Sequence, residues 1–392
     1  MVFGAEAMTT DVELSFIRVA EGCGVVRDAP LPAKYRDKAY DSRYDFETIF
    51  YDVYRSGNHT VLQGPPLFNF RKHVEATDFY AGLVRRGGFL IERPAGAEYW
   101  LKGDMAEVRI DSALAAATAR VQPDLSHLLQ NRRVLFTLSR NNDVQWILDW
   151  VQFHVRMHGA DAVLLYDNAS TSYGSRDLEA ELSRAFPELT VCVVDWPFKF
   201  GPRVWRRRAA DGGEERISSK FCQAGALQHA RFRFLRKARS VLNCDVDELV
   251  LASEAGGSVF RAAERSLLGV VHFRGRWIHE VGVERGGRAL RHADSVHYDP
   301  SDTVGCPQKW AAVPWRCPRA MTWSAHRVKG LDNRLTRSRR FTYGHFSEIT
   351  TNWKYGRTGR KTAANSSGYE ADKVLIGAMR AAGLRGACLP PA

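Results

Sequence analysis

The stretch SVLNCDVDELVLA, residues 240–252, decides the fold that we predict for this chain. A short apolar run ends in three acidic residues, Asp245, Asp247 and Glu248, and apolar residues then resume. Charged side chains are rarely buried unless they are paired or bound to a metal, so the pattern predicts a buried strand that ends beside a cation. If the segment is extended, Asp245 and Asp247 point to the same side. Two such carboxylates suit Mg²⁺ or Mn²⁺; the alternative is a strand end with solvated acids.

The composition is that of a globular protein with a full hydrophobic core. The 392 residues are 45% hydrophobic and 26% charged, which allows two domains or one large domain with an appendage. The net charge of +12 predicts anionic partners such as nucleotides or an acidic membrane face. Because the arginines are dispersed rather than clustered on one motif, we do not expect nucleic acid as a partner.

Cysteine usage and the N-terminal segment bear on the location of the protein. Seven scattered cysteines without a CxxC pair favour a reducing compartment over a disulfide framework or a zinc site. The start, MVFGAEAMTTDVEL, lacks the pattern of a secretion signal, and no apolar run approaches the roughly 18 residues of a membrane span. We therefore expect a cytoplasmic, bacterial protein that can contact the inner face of an anionic membrane peripherally.

Hydrophobic periodicity divides the chain into four segments. Residues 1–40 are predicted to be a loosely structured lead-in. Residues 41–130 alternate β-like runs with turns, which predicts a small β-rich domain and a linker, with a helix over 112–121. In residues 131–362, strands alternate with helices, which is typical of parallel βαβ units. Residues 363–392 are predicted to form a C-terminal helix and tail.

The first βαβ unit of the third segment is the clearest. An apolar run at 134–139 predicts a strand, and apolar residues from Val144 onward recur at helical spacing. We expect Asn141 or Asn142 to cap this helix and Gly159 to end it. A second buried strand is predicted at 162–166 and a third at 189–196.

Three strand ends in this series carry a family resemblance: SRNND (139–143), YDNAS (166–170) and DVDE (245–248). Their order is similar to that in family-2-like glycosyltransferases of the GT-A fold. The stretch QWILDWVQFHVRMHGADAVLLYDNAST (145–171), and HF followed by TNWKY (345–355), resemble the family 92-like and related bacterial enzymes. The resemblance implies an α/β, Rossmann-like GT-A nucleotide-sugar-binding domain with a mixed, mostly parallel sheet, preceded here by the small β-rich domain.

The resemblance also implies roles for individual residues, because ligands of open α/β sheets bind beyond the carboxyl ends of the strands. Asp247 would bind Mn²⁺ or Mg²⁺ directly, Asp245 would contact the ribose or a metal-bound water, and His345, ahead of His326, would complete the metal shell. Glu248 is either a partner of these ligands or a salt-bridged acid. The implied metal set is Asp245, Asp247 and His345, and the implied nucleotide-sugar contacts are Arg140, Asn141, Asp167, Asn168, Asp245, Lys354 and Arg357.

An inverting transferase needs a base that takes the proton of the acceptor hydroxyl. In the loop after a predicted strand at 269–273, Glu280 is the first candidate and His279 the second. The alternative is an arginine-rich surface loop with structural ion pairs. The chain departs from the family pattern where Asn141-Asn142 replaces Asn-Glu and where DNAS replaces a glycine-containing turn, and neither change removes a metal ligand.

The expected function is metal-dependent transfer of a sugar from a nucleotide-sugar donor, most simply a UDP-sugar, to a carbohydrate or glycolipid acceptor. The resemblance implies inversion and a setting in surface polysaccharide or glycolipid assembly. Two alternatives stay open. A nucleotidyltransferase would also use strand-end carboxylates with metals, although no GxxxxGK loop precedes the acids. A catalytically inactive GT-A-like protein could instead bind carbohydrate.

Overall fold

The computed structural model describes residues 12–208, 213–282, 289–351 and 368–389. These residues belong to two compact units. Unit 1 takes its residues from 128–196 and from 237 onward, and unit 2 takes them from 11–127 and 197–236. Residues 197–236, which lie inside the predicted 131–362 domain, therefore belong with the N-terminal residues in unit 2.

Strands in the described residues are numbered in chain order. They are β1 (Ile17–Arg18), β2 (Thr48–Phe50), β3 (Asp52–Ser56), β4 (His59–Gly64), β5 (Asp78–Ala81), β6 (Val84–Arg86), β7 (Gly88–Arg93), β8 (Gly96–Lys102), β9 (Glu107–Asp111), β10 (Ala116–Arg120), β11 (Arg133–Ser139), β12 (Ala162–Asp167), β13 (Thr190–Asp195), β14 (Trp205–Arg208), β15 (Glu214–Ile217), β16 (Ser240–Asn243), β17 (Glu248–Ala252), β18 (Val270–Ile278), β19 (His297–Tyr298), β20 (Cys306–Ala312), β21 (Thr322–Ser324), β22 (Arg327–Lys329), β23 (Arg337–Phe346) and β24 (Glu370–Ala371).

The α-helices of the described residues are fewer. They are α1 (Tyr40–Arg43), α2 (Arg71–Glu75), α3 (Val144–His158), α4 (Ser175–Ala185), α5 (Phe221–His229), α6 (Val259–Arg265), α7 (Asn333–Thr336) and α8 (Lys373–Ala381). A π-helical turn, Ala230–Phe234, continues α5. Over the ranges that the structure describes, no helix combines the length and the apolar character needed to cross a bilayer.

Unit 1 is built on a mixed eight-stranded sheet in the order β13-β12-β11-β16-β20-β18-β23-β17. β13, β12, β11 and β16 are parallel neighbours, β18 and β23 are parallel to each other, and β20 runs antiparallel to both β16 and β18. β17 runs antiparallel to β23 at the edge. Six strands therefore point to the same edge of the sheet, and the predicted mixed α/β architecture is confirmed.

Helix α3 follows β11 and packs its apolar face on the sheet, where Ile147, Trp150 and Val151 are fully buried. The prediction that Asn141 or Asn142 caps this helix is wrong. The cap is Asp143, whose carboxylate accepts the Gln145 N–H at 2.8 Å, as expected for an acidic residue at this position. Gly159 ends the helix with φ of 72°, as predicted, because glycine adopts the left-handed conformation without a steric penalty.

The outer edge of β17 is closed by two histidines of α3. The Val250 N–H donates to His154 Nε2 at 3.3 Å, and His158 Nε2 donates to the Val250 carbonyl at 2.7 Å. Residues i and i+4 of a helix lie on the same face, so both rings reach the same strand residue. Val250 thus has both of its backbone groups paired at this edge without a further strand.

Unit 2 consists of small antiparallel sheets. One has the order β3-β4-β8-β7 and another the order β10-β9-β5-β6, while β1-β2 and β14-β15 form two-stranded ribbons. A buried Asp52 carboxylate accepts from His229 Nε2 at 2.8 Å and from Arg233 at 2.9 Å inside this unit. The predicted helix over 112–121 is wrong, because residues Ala116–Arg120 form β10 and pair with β9 along its whole length.

Candidate functional site at the edge of the large sheet

Polar side chains from separate parts of the chain lie along the edge to which six strands of unit 1 point. Arg140 and Asn141 follow β11, Asp167 ends β12, and Asn168 comes directly after it. The acidic residues follow β16, and His345 lies one residue before the end of β23. The carboxyl ends of these strands share one edge. The sheet therefore brings predicted site residues to the same edge although the first, Arg140, and the last, His345, are more than 200 positions apart in the sequence.

The acidic segment after β16 forms a tight turn. The Glu248 N–H donates to the Asp245 carbonyl at 3.0 Å, and the Glu248 carboxylate accepts the Asp245 N–H at 2.7 Å. His292 Nε2 donates to the Val246 carbonyl at 2.9 Å, and the Phe346 N–H donates to the Asp247 carbonyl at 2.9 Å. The premise of an extended segment is therefore wrong, and the Asp245 and Asp247 side chains reach different partners.

Three side chains of this region could hold a metal ion. Asp247, Glu248 and His345 each offer a ligand atom, and these atoms lie within 4.8 Å of one another. His345 Nε2 lies 3.0 Å from Asp247 Oδ2, and His345 Nδ1 lies 4.0 Å from Glu248 Oε1. The pairing of β17 with β23 explains the proximity, because Glu248 is directly opposite His345. Of the two candidate histidines, the group contains His345 and not His326.

The donor set fits a divalent cation. Carboxylate oxygens suit Mg²⁺ and Mn²⁺, and an imidazole among them favours Mn²⁺ over the harder Mg²⁺. His345 is held in place by Trp277, whose ring stacks on the imidazole with centroids 4.1 Å apart. The group thus contains Asp247 and His345 of the predicted metal set and has Glu248 in place of Asp245, and metal binding itself stays a prediction.

Asp245 instead contacts Lys309, a residue whose role the sequence did not suggest. Lys309 Nζ lies 3.0 Å from Asp245 Oδ2 and 2.8 Å from Glu248 Oε2, and its side chain is 1% exposed. Burial opposes its charge, but the two carboxylates outweigh burial and raise the pKa of Lys309 above its ordinary value. The signal in the sequence was a single lysine inside the apolar strand β20, where a charge needs a partner.

Glu248 is the most deeply buried of the three acids. Burial raises its pKa to about 7, although Lys309 acts in the opposite direction. The neighbouring Asp245 and Asp247 charges raise the pKa further, because like charges disfavour the ionised form of Glu248. The prediction that Glu248 is either a partner of the metal ligands or a salt-bridged acid matches its two contacts, since one carboxylate oxygen faces His345 and the other faces Lys309.

The loop after β12 holds Asp167 and Asn168. The Asp167 carboxylate accepts from the hydroxyls of Ser170 and Ser175, the latter at 3.1 Å. Burial raises the pKa of Asp167, and these hydrogen bonds only partly offset that effect. Asn168 is fully buried and donates to the Trp196 carbonyl at 2.7 Å, which anchors the loop, while its predicted contact with a nucleotide sugar stays a prediction.

Asn141 joins the loops after β11 and β12. Its side-chain oxygen accepts from the Thr171 N–H at 2.6 Å and from the Ser172 N–H at 3.2 Å. Its φ of 52° is left-handed, a conformation that asparagine tolerates better than most residues. The Arg140 carbonyl accepts from the Thr351 hydroxyl at 3.3 Å. The Asn141 side chain therefore organises the loop that carries Asp167.

The candidates for the catalytic base follow the end of β18. The backbone of His279 pairs with His297, and its ring lies edge-on to Tyr369 at 5.2 Å. Glu280 is 5% exposed. β18 pairs with β23 so that Trp277 is opposite His345, which places both candidates just beyond the strand that flanks the metal-capable group.

Two predicted phosphate-binding residues, Lys354 and Arg357, lie outside the described residues, and their roles stay predictions. Within the described edge, the arrangement offers a group of side chains that could hold a divalent cation, a buried acid on the loop after β12 and two candidate bases. This set can bind an anionic ligand through a metal and remove a proton from a second ligand. Comparison with protein-family models and with curated proteins finds no match for this chain.

Proposed function

We propose that the protein is a metal-dependent glycosyltransferase of the GT-A fold. It transfers a sugar from a nucleotide-sugar donor, with a UDP-sugar as the first candidate, to a carbohydrate or glycolipid acceptor. The observation that carries the proposal is the group Asp247, Glu248 and His345 at the same sheet edge as the Asp167 loop. A metal position at the same sheet edge as a strand-end loop suits the binding of a nucleoside diphosphate.

In this proposal, Asp247 and His345 hold Mn²⁺ or Mg²⁺ together with Glu248. The bound ion supplies Lewis-acid neutralisation of the diphosphate as its bond to the sugar breaks. Asp167 accepts a hydrogen bond from the nucleobase of the donor, and Ser170 and Ser175 keep the carboxylate in position. Arg140 and Asn141 border the nucleotide on the neighbouring strand end.

The acceptor half of the reaction falls to the loop after β18. Glu280, or His279 in its place, takes the proton of the acceptor hydroxyl while the oxygen of that hydroxyl attacks the anomeric carbon. The bond from that carbon to the diphosphate oxygen breaks in the same displacement, so the configuration inverts. The nucleoside diphosphate leaves with the electron pair.

The proposed setting is the assembly of surface polysaccharide or glycolipid at the cytoplasmic face of a membrane. The net charge of +12 supports contact with anionic lipid headgroups. A polyprenyl- or lipid-linked acceptor is presented at such a surface, which would bring the acceptor to the protein.

A thermal-shift panel tests the donor site. The full chain is heated with UDP, GDP, CMP or ADP, with and without Mn²⁺, and we expect one nucleotide, most simply UDP, to raise the melting temperature only when Mn²⁺ is present. Asp247→Asn removes the effect. Glu254→Gln, which removes an exposed carboxylate beyond the far end of β17, retains it. No shift with any nucleotide, or an unchanged shift in the Asp247 variant, contradicts the proposal.

A further inference from the structure

Three large apolar side chains are exposed at the edge of the unit 1 sheet that lies opposite the candidate site. Six strands begin at this edge, and β20 ends there. Leu267 comes shortly before β18, Trp315 shortly after β20 and Leu335 shortly before β23, and these three strands are neighbours in the sheet. The three residues, which we call the apolar patch, are 94%, 69% and 73% exposed, respectively.

Arg316 joins two of the loops that carry the apolar patch. Its Nη1 donates to the Ser266 carbonyl at 2.7 Å, and Ser266 directly precedes Leu267. The same guanidinium lies 4.9 Å from the centroid of the Trp315 ring. Leu267 and Trp315 are therefore presented side by side, with a positive charge between their loops.

Further basic side chains border the patch at the end of α6. Arg265, the last residue of this helix, is exposed. Glu264, the one acidic residue of α6, is bound by Arg133 at 2.8 Å and by Arg239 at 3.2 Å. Asp161 also acts electrostatically on Arg133. Together with the guanidinium that joins the two loops, four arginines stand against two carboxylates, so the rim of the patch is positive.

An exposed apolar surface with a positive rim suits an anionic lipid bilayer. Contiguous exposed apolar side chains mark a surface that meets a partner. Tryptophan is favoured at the level of the lipid headgroups, leucine enters the acyl region, and arginine is attracted to lipid phosphates. Two copies of this surface would bring like charges together, so the rim disfavours self-association.

We propose that the apolar patch and its arginines dock the protein on an anionic bilayer. The inference rests on the membrane setting of the proposed function and names the surface that makes the contact. The candidate site lies at the far ends of the strands, about 20 Å away along the seven residues of β11. A lipid-linked acceptor reaches that site with the end of its glycan rather than with its lipid.

Co-sedimentation of the full chain with lipid vesicles tests the docking surface. We expect binding to vesicles of phosphatidylglycerol and phosphatidylcholine in equal parts, and much weaker binding to phosphatidylcholine alone. Trp315→Ser and Leu267→Ser should each weaken binding about tenfold, and Arg265→Gln about fivefold. Leu83→Ser is the matched control, because Leu83 is 93% exposed in the turn between β5 and β6, and it should bind like the wild type.

The three serine variants change exposed side chains, and the effect of UDP and Mn²⁺ on the melting temperature should be retained in each. Equal binding to both kinds of vesicle, wild-type binding by Trp315→Ser and Leu267→Ser, or an equal loss in Leu83→Ser would overturn the inference. If light scattering shows a wild-type dimer and a Trp315→Ser monomer, the surface joins two copies and the inference is wrong.

This inference and the proposed donor site fail separately. A nucleotide-dependent thermal shift without vesicle binding would overturn the docking surface and leave the glycosyltransferase proposal intact. Vesicle binding that the patch variants weaken, without a thermal shift for any nucleotide, would support the docking surface and contradict the donor site.

Discussion

The two histidines that close the edge of β17 should make the stability of unit 1 depend on pH. His158 is fully buried between α3 and β17, where its Nε2 donates to Val250 and its Nδ1 accepts the Val259 N–H at 3.3 Å. Both ring nitrogens form a hydrogen bond in the neutral ring. A second proton on the ring would break the hydrogen bond from the Val259 N–H and place a charge in the core. Burial lowers the pKa of His158 to about 4 from an ordinary value of 6.5, although the Val250 bond acts in the opposite direction.

The sign and size of the effect follow from these two values. Between pH 6.5 and about 4, the unfolded chain binds a proton at His158 and the folded chain does not, so the free energy of unfolding falls as the pH falls. From pH 7 to pH 5, this residue alone should remove about 2 kcal/mol of stability. Burial lowers the pKa values of His154 and His292 as well, which adds loss in the same direction.

Urea denaturation of the full chain at pH 7 and pH 5, followed by circular dichroism, measures the loss. His158→Gln keeps an amide N–H for the Val250 carbonyl but does not titrate, so its loss over this range should be about 2 kcal/mol smaller than that of the wild type. His326→Gln, at an exposed position, is the control and should behave like the wild type. If His158→Gln loses as much stability as the wild type, the ring is not held neutral by burial and the reasoning fails.

Three further changes test the site and each unit. Glu280→Gln should lower kcat by about a hundredfold or more while donor binding is retained, because it removes the carboxylate proposed to take the proton of the acceptor hydroxyl. An unchanged kcat would exclude Glu280 as the base. Gly275→Ala places a Cβ 2.5 Å from the Tyr343 ring and should destabilise unit 1 by about 1–3 kcal/mol in urea denaturation; a wild-type midpoint would contradict the packing. Glu98→Gln breaks the buried pair with Arg93, whose Nη2 lies 2.8 Å from Glu98 Oε2, and should cost unit 2 about 3 kcal/mol. A loss below about 1 kcal/mol would show that the pair does not stabilise the unit.

The sequence predicted the central strands of unit 1 well because their signals are local. β11, β12 and α3 show the apolar runs and helical spacing that any short window contains. The helix predicted over 112–121 failed for the opposite reason. Its alanines favour a helix in isolation, but Ala116–Arg120 pair with β9, and tertiary pairing outweighs a weak local preference.

The site was predictable only where a resemblance linked distant residues. Asp247 and His345 are 98 positions apart, and no local pattern shows that β17 and β23 bring them together. Lys309 lies in none of the motifs that carry the resemblance, and its contact with Asp245 follows from the pairing of β16 with β20, a register that the sequence does not reveal. Asp245 was misplaced because the alternation rule was applied to a segment that is a turn.

Helix α3 links the strand after the acidic turn to the loop that carries Asp167. Two residues of α3, His154 and His158, fix Val250, and the strand that contains Val250 begins at Glu248. The same helix starts three residues after Asn141, whose side chain holds the loop that carries Asp167. The residues at the N-terminus of this helix therefore position the loop that carries Asp167, and residues along its length position the strand that follows the acidic turn. We expect substitutions on the buried face of α3 to alter metal and nucleotide binding together, although no side chain of that face belongs to the metal-capable group.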